Sequence, residues 1–118
     1  MFGKLKEQMA GSATDKVVAR IGGDLEPHIQ ALKQFKASDI QDDSLFESKI
    51  TQPALIAIAA ASSGVTQLIP GFNQKFSLAL RHVRNELVCY DGDQVNLVDD
   101  YAERLPDVLK AGLAQPAA

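Results

Sequence analysis

Asn73-Gln74-Lys75-Phe76-Ser77-Leu78-Ala79-Leu80-Arg81-His82-Val83-Arg84-Asn85-Glu86-Leu87 is the stretch whose spacing decides the fold class. Counting from Phe76, apolar side chains return at Ala79, Leu80, Val83 and Leu87, steps that gather them on one side of a helix. Lys75, Arg81, His82, Arg84 and Glu86 fall mostly on the other side. Pro70-Gly71 stops any helix before this one, and Asn73 is placed to cap it. A helix with one apolar stripe holds only when that stripe is covered, so the flanking segments must supply the cover.

Downstream, Asp91-Gly92 allows two readings. Gly92 can end the helix in a left-handed cap, or Asp91-Gly92 can turn Leu87–Tyr90 back on Val95–Val98 as a hairpin. An isolated two-stranded pair is marginal in water and the helical stripe already reaches Leu87. The cap is therefore the preferred expectation, with a small β-hairpin at 87–98 as the alternative. A last helix is expected from about Asn96 to Gly112, with Val98, Tyr101, Leu105 and Val108 or Leu109 inward and Pro106 breaking or kinking it. Residues 113–118 read as a frayed tail.

Upstream, Pro53-Ala54-Leu55-Ile56-Ala57-Ile58-Ala59-Ala60-Ala61-Ser62-Ser63-Gly64 is apolar around its whole circumference, the pattern of a central helix covered on every side. Gly64 is placed to supply a left-handed cap. Ser44-Leu45-Phe46-Glu47 matches a capping box and opens a short helix, and Pro53 favours a new start near Thr51 over a kinked continuation. Ser38–Asp43 is polar and aperiodic, so it is expected to be a surface connection. Leu5, Met9, Ala13, Val17 and Ile21 recur every fourth residue as a first helix that Gly22-Gly23 ends. Asp24 then caps a second helix, with Pro27 in its first turn and Leu25, Ile29 and Leu32 inward. The fold expected is all-α: a compact bundle of four to six short helices around a central apolar helix at about 53–64, in a single domain spanning 1–118.

Composition bounds the function classes. The 118 residues include 46% hydrophobic and 23% charged side chains, an ordinary globular balance. A formal net charge of -3 offers no concentrated Lys and Arg for phosphate backbones, so nucleic acid is not an expected partner. Cys89 is the sole cysteine; it permits no internal disulfide, has no neighbouring His to activate it, and is expected in the core. Met1–Gln8 carries charges where a secretion signal needs an apolar run, so the cytoplasm is the expected address. Residues 50–74 hold no charge, but Thr51, Gln52, Pro53, Ser62, Ser63 and Gly64 interrupt the apolar content, favouring burial over a membrane span.

Few residues point to chemistry. His82 and Glu86 stand four apart on one helix face and could offer two metal ligands, but two ligands are not a site, no third is legible, and a solvated pair is the favoured reading. Asp91, Asp93, Asn96, Asp99 and Asp100 lack the Gly and Glu spacing of a calcium loop, and turn and capping chemistry accounts for them. Asp43-Ser44-Leu45 resembles the Asp-Ser-Leu tripeptide of acyl carrier proteins, in which the serine opening a helix receives a phosphopantetheine arm. The resemblance covers three residues; Ile40-Gln41-Asp42 departs from the carrier pattern, and Lys49–Pro53 interrupts the acidic helix a carrier presents. Lys75, Arg81, His82 and Arg84 form the local basic concentration worth testing as an anion or partner contact, with a solvated face as the plainer account.

No motif requires a cofactor or metal, none is expected, and catalysis is not the expected role. The leading functional expectation is a small binding or adaptor domain acting through contact with another protein or with itself. A peripheral membrane protein using Phe2, Leu5 and Met9 beside Lys4 and Lys6 is one alternative. A ligand carrier or small enzyme with a cavity near Arg81, His82 and Tyr101, or beside the small side chains of Ala57–Ser63, is another.

Overall fold

A computed structural model of the chain describes the backbone of residues 2–114 and the side chains of residues 14–114. It is mostly helical, with one two-stranded antiparallel sheet, in line with the all-α bundle and the alternative hairpin. The order is α1 (Phe2–Gln30), a 3-10 turn (Ala31–Gln34), α2 (Ala37–Gln41), α3 (Asp43–Phe46), a π turn (Glu47–Thr51), α4 (Gln52–Thr66), α5 (Phe72–Leu87), β1 (Val88–Asp91), β2 (Gln94–Leu97) and α6 (Tyr101–Leu113).

Gly22-Gly23 does not end the first helix: α1 runs through it, past Asp24 and Pro27, to Gln30. The four-residue spacing of Val17 and Ile21 continues through Leu25 and Ile29, and all four are buried. Each glycine weakens a helix by about 1 kcal/mol. Burying each large aliphatic side chain returns about 1.5–3 kcal/mol, which decides for continuity. The expected contributions of Leu5, Met9 and Ala13 fall on side chains outside the described residues.

The middle of the chain departs further from expectation. Ser38–Asp43 is not a bare connection, since α2 buries Ala37 and Ile40. Asp42, not Ser44, caps α3, its carboxylate accepting the Leu45 N–H at 2.9 Å. α4 starts at Gln52, beside the expected Thr51, but without a break, since the backbone stays helical from Phe46 through Gln52. The wider π turn brings the chain to Pro53 in the first turn of α4, where an absent N–H costs least. Thr51 is fully buried there, and its Oγ1 has no hydrogen-bond partner.

The apolar helix at 53–64 exists but is not central. Ala54, Ile58, Ser62 and Thr66 of α4 are buried, while Pro53, Ile56, Ala57, Ala59, Ala60, Ala61 and Gly64 are exposed. α4 packs chiefly on α1, and one neighbour covers one face. Gly64 lies within the helix and has no left-handed φ. At Ser62 the backbone leaves helical geometry (φ -140, ψ 38), and its Oγ donates to Asp24 Oδ2 of α1 at 3.3 Å.

α5 forms as its spacing requires, with Phe76, Ala79, Leu80, Val83 and Leu87 all buried. It starts one residue before Asn73, after Gly71, whose φ of 68 only glycine adopts without strain. α5 and α6 make the most extensive helix pair, and the crossing is close. A Cβ on Gly112 would lie 2.4 Å from the Ala79 Cα. Pro106 sits inside α6, and Leu113 is buried rather than frayed.

Gly92 does not cap α5. The helix stops at Leu87, and Val88 pairs with Leu97, Cys89 with Asn96, Tyr90 with Val95 and Asp91 with Gln94. Gly92 has φ 61 and Asp93 does not, which fits a two-residue turn with glycine leading. The expected helix start near Asn96 is overturned, because that residue belongs to β2. The hairpin is not isolated: the Ala37 N–H donates to the Asp93 carbonyl at 2.9 Å, Lys36 bridges Gln94, and Val95 is fully buried. Strand alternation turns Cys89 to the exposed side, so the expectation of a core thiol fails.

Candidate functional site

The four basic residues of α5 separate into three environments. Arg84 turns inward: one Nη donates to Asp43 Oδ1 at 2.7 Å, and the guanidinium lies 5.1 Å from the Phe46 ring centroid. Its side chain is only 12% exposed, so it ties α5 to α3. The same guanidinium, through its hydrogen bond first and its charge second, holds the Asp43 carboxyl below its ordinary range. His82 faces Glu86 one turn on, with Nδ1 3.9 Å from Oε2. Among the described residues no group of three His, Cys, Asp or Glu side chains is arranged to hold a metal ion.

Lys75 and Arg81 remain together. They line an open groove of about 500 Å3 between the π turn and first turns of α4 on one side and α5 on the other. Lys75, Leu78 and Arg81 are three residues apart in turn, a ridge along α5, and Gln52 and Leu55 form the facing wall. Asn73, Gln74, Ser77 and Glu47 complete the lining. The Glu47 carboxylate is held in place, accepting from Gln52 Nε2 at 3.0 Å and Ser77 Oγ at 2.8 Å. Neither Lys75 nor Arg81 makes an ion pair within 4 Å among the described residues; Arg81 acts on Asp43 only at longer range. Arg81 Nε is buried without a hydrogen-bond partner.

Sequence reasoning found the two cations but not the groove. Glu47, Gln52 and Leu55 enter only because the π turn lays the start of α4 against α5, and nothing in their spacing announces it. Ser44 is exposed beside Asp43, Glu47, Ser48, Gln52 and Arg81 in an adjoining recess. Tyr101 is remote from the groove. Its hydroxyl donates to Glu26 and accepts from Gln30, a bond to the Glu26 carboxylate that raises its pKa. The cavity expected near Arg81, His82 and Tyr101 is thus not one site, and Ala57, Ala59, Ala60 and Ala61 face outward rather than lining a hollow.

A second surface stands out by its chemistry. On α4, Ile56 is 67% exposed and, beyond its end, Leu68 is 49% exposed, within the charge-free residues 50–74. Ala57, Ala60 and Ala61 lie three and four positions apart on that outward side ahead of the break at Ser62, and Gly64 is exposed beyond it. No helix among the described residues is long and apolar enough to cross a membrane. Comparison of the chain with protein-family models, with curated proteins and with solved structures gives no match.

Proposed function

We infer that this chain is a small protein-interaction domain whose docking surface is the outward face of α4, and that a second copy of the chain is the occupant. The observation that carries this reading is the 67% exposure of Ile56 on a helix face flanked by small side chains and free of charge. A two-fold contact sets a patch against itself, and a face without charge meets its own image without repulsion. Ala57, Ala60 and Ala61, all ahead of the break at Ser62, allow two such helices to approach at the short end of the 8–10 Å range. Ile56 then fills the space beside the partner's alanines.

The size of the face sets the strength. The regular stretch of α4 ahead of the break at Ser62, residues 52–61, is about 15 Å long. Laid along its twin it covers on the order of 300 Å2 per copy, well under the roughly 800 Å2 per partner of a standard interface. The association is therefore weak and concentration-dependent. Sedimentation equilibrium over a wide concentration range tests it: the average mass rises from 12.7 kDa toward twice that value, and Ile56→Asp holds it at the monomer with unchanged circular dichroism. A wild-type monomer at every concentration, or equal association of the variant, overturns the reading. So does binding of the monomer to lipid vesicles that Ile56→Asp abolishes, because the face would then serve a membrane.

A further inference from the structure

We propose that the groove between α4 and α5 is a binding site for a carboxylate carried on a short apolar group, with Lys75 and Arg81 holding the anion and Leu55 and Leu78 holding the apolar part. The charge balance comes first. Two cations and one carboxylate line the groove, and Glu47 already accepts hydrogen bonds from Gln52 and Ser77. One positive charge is left in excess, which suits a single anionic group rather than a nucleotide or polyphosphate. The beginning of α5 adds to it, since its first turn holds no acidic residue and Gly71 offers no capping side chain.

Geometry selects among anions. Arg81 Nε is a buried donor with nothing to receive its proton. Because Nε is closed off from the groove, a carboxylate meets the guanidinium end-on and takes two parallel hydrogen bonds from its two Nη nitrogens, an arrangement a planar two-oxygen group matches. Leu78 lies between Lys75 and Arg81 on the same ridge, with Leu55 across the groove, so an alkyl chain attached to that carboxylate is covered on both sides. The amide side chains of Gln52, Asn73 and Gln74 offer donors and acceptors to a peptide unit if the carboxylate belongs to a peptide. A free carboxylic acid and an acidic peptide share this recognition chemistry.

The test is an amide and arginine Nε–H NMR titration of the full chain with sodium hexanoate, hexanamide, acetate and N-acetyl-Leu-Asp amide. Hexanoate shifts the side-chain signals of Gln52, Asn73, Gln74 and Arg81 saturably and binds at least tenfold more tightly than acetate. Hexanamide, identical in shape but uncharged, leaves those signals in place. Arg81→Gln and Lys75→Gln each weaken hexanoate at least tenfold while the rest of the spectrum stays folded. Tighter binding of the dipeptide than of hexanoate assigns the site to peptides, and the reverse assigns it to a small acid. No saturable shift with either carboxylate, equal shifts with hexanamide, or shifts that survive both substitutions overturn the proposal.

Discussion

Gly112→Ala is the sharpest probe of this fold, because one added methyl group meets backbone. The new Cβ would stand 2.4 Å from the Ala79 Cα, 2.7 Å from its Cβ and 2.9 Å from its nitrogen. Carbon atoms rest at about 3.5–4.0 Å, so α6 must withdraw from α5 by about 1 Å or bend. Such overpacking costs about 1–3 kcal/mol. Alanine's better helix propensity returns less than about 1 kcal/mol. The net loss is about 1–2 kcal/mol. For 118 residues the unfolding entropy is about 0.25 kcal/mol/K, so the midpoint falls by about 4–8 °C.

Gly23→Ala is the internal control, since a Cβ there meets nothing within 4 Å, also within a helix. Propensity then acts alone and stabilises by about 0.5–1 kcal/mol, raising the midpoint by about 2–4 °C. Thermal and urea unfolding of both variants should give shifts of opposite sign with unchanged urea slope. Adding Ala79→Gly to Gly112→Ala removes the 2.7 Å contact but not the 2.4 Å one, so recovery is partial. A Gly112→Ala protein as stable as Gly23→Ala would refute the close crossing of α5 and α6.

Two further expectations follow from buried or paired polar groups. Thr51→Val keeps the branched shape and removes a buried hydroxyl with no partner, so urea unfolding should show a gain of about 1 kcal/mol; a loss of that size would mean that the hydroxyl is bonded. Asp43 titrates below its ordinary value because Arg84 donates to it, so the interaction stabilises the fold above the unfolded carboxylate range and fades as pH falls through the lower folded value. The stability gap between the wild type and Asp43→Asn should therefore be full at neutral pH and close under strongly acidic conditions, with the midpoint of the Asp43 carboxyl resonance in Arg84→Met rising toward the ordinary value.

The sequence by itself determined the helical class, α5 with its buried Phe76-to-Leu87 stripe, and the break at Pro70-Gly71. These are local properties, fixed by the spacing of apolar side chains and by backbone preferences. It also held the continuity of α1, for the step of four from Val17 to Ile29 crosses Gly22-Gly23 unbroken, although the glycines read as a stop. Only the tertiary structure decided the rest. The hairpin stands because Ala37 and Lys36 dock on its turn and β2, support that comes from residues more than fifty positions away. α4 lies at the surface because apolar periodicity states which residues seek cover, not how many neighbours exist to give it. Arg84 is drawn inward while Lys75 and Arg81 face the groove, because a cation's destination depends on what stands across from it. For Arg84 that is Asp43 and Phe46, and for the other two it is the open wall of α4.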